Sequence, residues 1–146
     1  MLHALPSKNV ISLCTVLATS MSSAGAWAAA TPEFIDGATS VNAEEFIALM
    51  ESIPELVIID SRVRGDRIFG FIEGSVSLPN THTTCDSLSG IVNKSDAASL
   101  FYCNGIKCAR SNKAIKIALD CGYSNIYWFR GGFEEWLKKG YPYLQE

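Results

Sequence analysis

A short, uninterrupted apolar run at residues 56–59 is the feature that most constrains the fold of this chain. Leu56-Val57-Ile58-Ile59 offers an apolar side chain to both faces of a strand, and Asp60-Ser61-Arg62 follows it directly. Strands that are apolar on both faces are typical of parallel sheets, which are covered on both sides. The run therefore predicts a buried parallel strand. Because open parallel sheets place their sites at the carboxyl edge, we expect Asp60 and Arg62 to brace the loops there or to act in the chemistry itself.

Strands and helices alternate along the rest of the chain. Asn42, with Glu45 three residues later, predicts a helix that begins with a capping box. The remaining predicted elements are a short strand that Pro79 ends, a loop with a short helix within 80–98, strands at 100–102 and 126–129, and helices at 112–119 and 133–139. This order predicts an α/β domain built on a parallel sheet.

Residues 102–111 read Tyr-Cys-Asn-Gly-Ile-Lys-Cys-Ala-Arg-Ser and connect a predicted strand to a predicted helix. A thiol at the start of such a glycine-containing loop lies among free backbone N–H groups and near the positive end of the helix dipole, and both favour the thiolate. Arg110 adds a fixed charge and a fork of donors suited to an oxyanion. We interpret the loop as an anion cradle that holds a nucleophile, Cys103. Cys108 is the rival candidate because it lies nearer the helix.

Residues 1–30 have the pattern of a signal peptide, and residues 31–146 are the expected mature domain. An apolar core at Val10–Ala18 precedes a zone of small residues, and Ala26-Trp27-Ala28 and Ala28-Ala29-Ala30 are both cleavage sites of the A-x-A kind. The alternative, a membrane anchor, is disfavoured because six Ser and Thr residues dilute the apolar stretch. We expect export without stable membrane insertion after cleavage, and a periplasmic location if the source is a Gram-negative bacterium.

Net charge and cysteine spacing limit the kinds of ligand and partner that the mature chain is expected to bind. The net charge of −3 becomes −4 once the peptide containing Lys8 is removed, and no basic cluster remains that could bind nucleic acid. The mature chain keeps four cysteines, Cys85, Cys103, Cys108 and Cys121. In an oxidising compartment they could form two disulfides in three alternative pairings. No zinc-knuckle spacing is present, and we expect neither a metal nor a cofactor.

A series of short motifs runs through the mature chain in a fixed order. They are Asp60-x-Arg62, Gly70-Phe71-Ile72-x-Gly74-Ser75, Leu78-Pro79, the Cys103 loop ending in Arg110-Ser111, Gly122-Tyr123, and Gly131-Gly132-Phe133-x-x-Trp136-x-x-x-Gly140-Tyr141-Pro142. From about Val41 to Pro142, this ordered set resembles the single-domain rhodanese-like family. The resemblance implies a central, mainly parallel sheet with helices on both faces.

The resemblance also implies an activity, sulfur transfer. In that family the loop cysteine accepts a sulfane sulfur as a persulfide and passes it to a thiophilic acceptor such as cyanide or a thiol, including the thiol of a partner protein. Cys103 would be the catalytic residue here, and the donor would be a small anion such as thiosulfate. The residues expected to bind it are Asn104, Gly105, Ile106, Lys107, Cys108, Ala109 and Arg110.

Two differences from the family pattern leave other functions open. Arg110 lies seven positions after Cys103, two more than the pattern, and Phe71 replaces a histidine. Longer loops belong to related phosphatases and arsenate reductases. The extra length also brings in Cys108, which could pair with Cys103 or act as a resolving thiol. The alternatives to sulfur transfer are therefore a thiol redox protein, a non-catalytic module that binds an anion or a protein, and a phosphatase or arsenate reductase.

Overall fold

A computed structural model of the chain describes residues 31–146; the expected signal peptide and its cleavage sites lie outside the described residues. The strands are β1 (Ala38–Val41), β2 (Val57–Asp60), β3 (Ser75–Ser77), β4 (Ser99–Tyr102) and β5 (Ile126–Phe129). The helices are α1 (Ala43–Ser52), α2 (Cys85–Ser89), α3 (Arg110–Asp120) and α4 (Gly132–Lys138), with 3₁₀ turns at Arg64–Phe69 and Asn80–His82. Within the described residues, no helix combines the length and the apolar character that crossing a membrane requires.

The five strands form one sheet in the order β1-β5-β4-β2-β3, and every neighbouring pair is parallel. This confirms the prediction of a parallel sheet. The last residue of β4, Tyr102, pairs in register with Asp60 on one side and Phe129 on the other. The residue that follows Tyr102 therefore lies at the carboxyl edge of the central strand, between the ends of β2 and β5.

Both faces of the sheet are covered, as predicted. On one face Leu100 and Tyr102 of β4 pack with α1 and α4, through residues such as Phe46 and Trp136. On the other face Phe101 packs against α3 and α2. Successive residues of a strand point to opposite faces, so the uninterrupted apolar sequence of β4 serves both cores at once.

The first strand, β1, was not predicted. Its sequence, Ala-Thr-Ser-Val, lacks a continuous apolar run because β1 is only partly buried and, among the described residues, is an edge strand that pairs with β5 alone. The capping box of α1 is confirmed: Glu45 N donates to Asn42 Oδ1 at 2.9 Å, and Asn42 N donates to Glu45 Oε2 at 2.8 Å. Helix α3 begins two residues before the predicted start, at Arg110.

Two disulfides select one of the three pairings that the sequence left open. Cys85 at the start of α2 pairs with Cys121 just after α3, with their Cα atoms 5.5 Å apart. This bond fastens the two helices that cover one face of the sheet. Cys103 pairs with Cys108 in the loop after β4.

The first turn of α4 fixes the position of the loop that follows β4. Phe133 N donates to the carbonyl of Cys103 at 2.9 Å, and Glu134 N donates to that of Asn104 at 2.7 Å. Gly132 allows this approach. Its φ is +60°, and a Cβ there would lie 2.9 Å from Asn104 C and Gly105 N and closer still to the carbonyl oxygen of Cys103. A side chain at position 132 would therefore push the loop away from the helix.

We expect Gly132→Ala to displace the loop as well as to strain the backbone. The free energy of unfolding should fall by about 1–3 kcal/mol, and the rate at which iodoacetamide alkylates reduced Cys103 should change. Gly140→Ala is the matched control, since Gly140 lies just beyond the other end of the same helix with a φ of +73°, and no atom of the described residues lies within 4 Å of the added Cβ. Equal effects of both variants on Cys103 alkylation would contradict the packing described here.

Candidate active site

Cys103 lies immediately beyond β4, at the carboxyl edge of the sheet, as predicted. Its side chain is only 2% exposed. The sulfur is bonded to that of Cys108, and the two Cα atoms are 6.1 Å apart. In this oxidised state the sulfur of Cys103 is bonded to Cys108, so it becomes available as a nucleophile only after the disulfide is opened.

At the start of the loop, the backbone carbonyls and the backbone N–H groups point in opposite directions. The carbonyls of Cys103 and Asn104 are taken by α4, and that of Gly105 accepts from Cys108 N at 2.9 Å. In a trans peptide the N–H points opposite to the preceding carbonyl, so the N–H groups of Asn104 and Gly105 point away from α4. Within residues 104–112, Cys108 N donates to a protein acceptor, whereas the other backbone N–H groups have no acceptor among residues 31–146: those of Asn104, Gly105, Ile106, Lys107, Ala109, Arg110, Ser111 and Asn112. The loop is therefore rich in unpaired donors that an anion could use.

Most of the predicted binding residues border one shallow depression of about 350 Å³. Its lining consists of Asn104, Gly105, Lys107, Cys108, Ala109, Arg110 and Glu134. Cys103, which is buried, is not in this lining. The Ile106 side chain is also absent from it; this side chain is 52% exposed, and the Ile106 carbonyl accepts from the hydroxyl of Thr31. The structure thus brings together Lys107, Arg110 and Cys108, with Cys103 joined to Cys108 through the disulfide.

Two carboxylates that the sequence reasoning missed stand beside this cradle. Asp66 Oδ2 lies 3.7 Å from Arg110 Nη1 and accepts from Asn104 Nδ2 at 3.2 Å. Glu134 lines the depression, and its carboxyl group occupies the space that a Cβ on Gly105 would take. No local pattern marks either residue, although Glu134 follows the Gly131-Gly132-Phe133 motif directly. An anion that binds Arg110 must compete with the charge of Asp66.

Asp60 is the centre of a buried network below the loop. Its Oδ2 accepts from Tyr102 Oη at 2.9 Å and from Arg62 Nη2 at 2.7 Å, with Arg67 Nη1 at 3.4 Å. Ser75 Oγ is shared between Arg67 and Tyr102. Asp60, Arg62 and Arg67 are all buried. Charges buried this deeply are stable only when they are paired, so the network forms as a unit.

Two pKa shifts reflect this environment. Burial, followed by the negative charge of Asp60, raises the pKa of Tyr102, so its hydroxyl stays protonated and donates. Burial lowers the pKa of Arg62, but the hydrogen bonds and charge of Asp60 outweigh that effect and leave a net rise. Arg62 is therefore a permanent cation inside the network.

The contacts of Asp60 and Arg62 are those of bracing groups. Arg62 Nη2 donates to the carbonyl of Gly70 at 2.9 Å, and its guanidinium carbon lies 4.5 Å from the ring centroid of Phe133, in the first turn of α4. Tyr102, which binds Asp60, is the residue before Cys103. Neither Asp60 nor Arg62 lines the depression. The network joins the ends of β2 and β4 to α4, the elements that fix the loop.

Comparisons with known proteins agree with this architecture. Similar solved structures include a protein from Bacillus halodurans, with 18% identity, a TM-score of 0.65, and coverage of 74% of this chain and 77% of that one. The rhodanese-like domain of an Anabaena protein has 20% identity, a TM-score of 0.64, and coverage of 73% and 79%. Thiosulfate sulfurtransferase from Pseudomonas aeruginosa has 23% identity, a TM-score of 0.61, and coverage of 74% of this chain but 20% of the larger protein. At these identities the likeness concerns the fold alone.

No curated protein matches the sequence. The family profile described as Rhodanese-like domain matches residues 42–139. That range takes in the cysteine loop, the Asp60 network and all four helices described above. The chain therefore belongs to the rhodanese-like domain family.

Proposed function

We propose that the reduced protein is a sulfurtransferase in which Cys103 carries a sulfane sulfur as a persulfide. The observation that supports this most strongly is the row of unpaired N–H donors in the loop that begins at Cys103. Such donors stabilise a thiolate and, after transfer, the terminal sulfur of a persulfide anion. The likeness to a protein named thiosulfate sulfurtransferase is consistent with this reaction.

The transfer is a pair of displacements at sulfur. The Cys103 thiolate attacks the outer sulfur of thiosulfate, the S–S bond of the donor breaks, and sulfite leaves with the bonding electron pair. The sulfonate end of the donor would be held by the loop N–H groups together with Arg110 and Lys107. In the second step an acceptor thiolate or cyanide attacks the outer sulfur of the persulfide and restores the Cys103 thiolate.

We also propose that the protein works outside the cytoplasm. The signal-peptide pattern of residues 1–30 and the Cys85–Cys121 disulfide both favour an exported protein, because structural disulfides persist mainly in oxidising compartments. Cell fractionation with mass determination of the mature chain tests this. A full-length chain found in the cytoplasm would contradict it.

Cys103→Ser should abolish sulfur transfer and leave the fold intact. A serine hydroxyl has nearly the same size as the thiol but lacks its soft, polarizable, readily ionised sulfur. The assay is thiocyanate formation from thiosulfate and cyanide by pre-reduced protein, with circular dichroism as the check on folding. Retained activity in this variant, together with its loss in Cys108→Ser, would assign the nucleophile to Cys108 instead.

Arg110→Lys should weaken the use of anionic donors, because a lysine replaces a planar fork of donors with a point charge. The loss of kcat/KM with thiosulfate should correspond to about 1–3 kcal/mol, and an uncharged persulfide donor should be affected much less. Arg130→Lys is the matched control, since Arg130 donates to the carbonyl of Pro32 at 2.9 Å and does not line the depression. Equal losses with both donors would show that Arg110 acts on the loop, not on the substrate.

Removing the Asp60 carboxylate should act on stability. Asp60→Ala leaves two buried guanidinium groups without their shared partner, and the free energy of unfolding should fall by about 3–5 kcal/mol. Tyr102→Phe removes one hydroxyl of the same network and should cost about 1–3 kcal/mol. Urea denaturation measures both. A variant with unchanged stability and lost activity would instead place Asp60 in the chemistry.

A further inference from the structure

The disulfide between Cys103 and Cys108 has no function in the two displacement steps above. The Cα atoms of Cys103 and Cys108 are 6.1 Å apart, which lies within the range of Cα separations found in disulfides. The loop is held to α4 through the carbonyls of Cys103 and Asn104. Cys108 can therefore reach Cys103 in the conformation that carries the cradle.

From this pairing we infer a second activity, the reduction of sulfane sulfur to sulfide. Cys108 attacks the inner sulfur of the Cys103 persulfide, the bond to the outer sulfur breaks, and hydrosulfide leaves. The inference rests on the proposed function, because it needs the persulfide as its substrate. It makes Cys108 a resolving thiol and makes sulfide a product of the site.

The step balances without a further reagent. The Cys108 thiol and the Cys103 persulfide become the Cys103–Cys108 disulfide and hydrosulfide. The Cys108 sulfur gives its electron pair to the inner sulfur, the outer sulfur leaves with the pair of the broken bond, and the proton of the Cys108 thiol passes to it. The sulfane sulfur is reduced to sulfide, and the two cysteines are oxidised to the disulfide.

Cys108 lies close enough to compete with acceptors from solution for the Cys103 persulfide. In the disulfide state Cys103 is 2% exposed, and Cys108, the residue bonded to its sulfur, borders the depression. Arg110 Nη1 lies 3.9 Å from the sulfur of Cys108, and a nearby guanidinium favours the thiolate. A thiolate held in the same loop also acts at a high effective concentration.

Turnover then requires an external dithiol reductant. The less buried member of the disulfide, Cys108, borders the depression and is the one that such a reductant can approach. Attack there releases Cys103 as the leaving thiolate, which the unpaired loop N–H groups stabilise. The disulfide in the structure is therefore the resting product of the reduction, and its opening returns the nucleophile.

A single turnover without reductant tests the inference. Protein reduced beforehand and freed of reductant is mixed anaerobically with thiosulfate, and sulfite, sulfide, intact mass and the cysteine-containing peptides are measured. The wild-type protein should release equal amounts of sulfite and sulfide and lose two hydrogen atoms per chain as Cys103 and Cys108 pair. Cys108→Ser should release sulfite without sulfide and gain one sulfur atom on Cys103.

The Cys85→Ser/Cys121→Ser double variant is the matched control, since it removes the other disulfide and should behave as the wild type does. If it does not fold, peptide mapping of the wild-type protein separates the two cysteine pairs. A stable persulfide on wild-type Cys103 without sulfide, or a persulfide that moves to Cys108, would overturn the inference and leave the sulfurtransferase proposal intact. Absence of sulfite release from every protein would overturn both.

Discussion

The two hydrogen bonds from the start of α4 to the loop after β4 are the interaction on which the site depends. They occupy the carbonyls of Cys103 and Asn104, and the planar peptide then directs the next N–H groups away from the helix. In a loop fixed in this way, the carbonyls of Cys103 and Asn104 are bonded to protein, and the N–H groups of the same peptides have no acceptor among the described residues. The close approach requires a residue without a side chain at Gly132. The orientation of these N–H groups thus originates in a helix whose first residue, Gly132, comes 29 positions after Cys103.

The sheet and its buried charges supply the rigid base for that contact. The loop leaves the central strand, and the network around Asp60 links the ends of β2 and β4 to Phe133 of α4. Burying these charges has a desolvation cost that only complete pairing offsets. The arrangement therefore tolerates little displacement, which suits a site whose donors must stay aligned.

Local sequence signals were sufficient for the parts of the fold that depend on local chemistry. Three features are determined by residues that are neighbours in the sequence: the apolar run of β2, the capping box of α1, and the strand–loop–helix pattern around Cys103. Edge strand β1 was missed because a half-exposed strand needs no apolar run. The contacts of Asp66 and Glu134 with the cradle, and the choice among three cysteine pairings, depend on segments brought together by folding, which spacing alone does not specify.

Two opposing effects act on the Cys103 thiol once the disulfide is open. Burial raises the pKa of a thiol, whereas the unpaired N–H groups and Arg110 lower it. Sulfur transfer through a Cys103 thiolate requires the second effect to be the larger, and the pH dependence of Cys103 alkylation by iodoacetamide in reduced Cys108→Ser measures the balance directly. We expect a thiol pKa below the ordinary value of about 8.5. A pKa at or above that value would contradict the claim that the loop is a cradle for anionic sulfur.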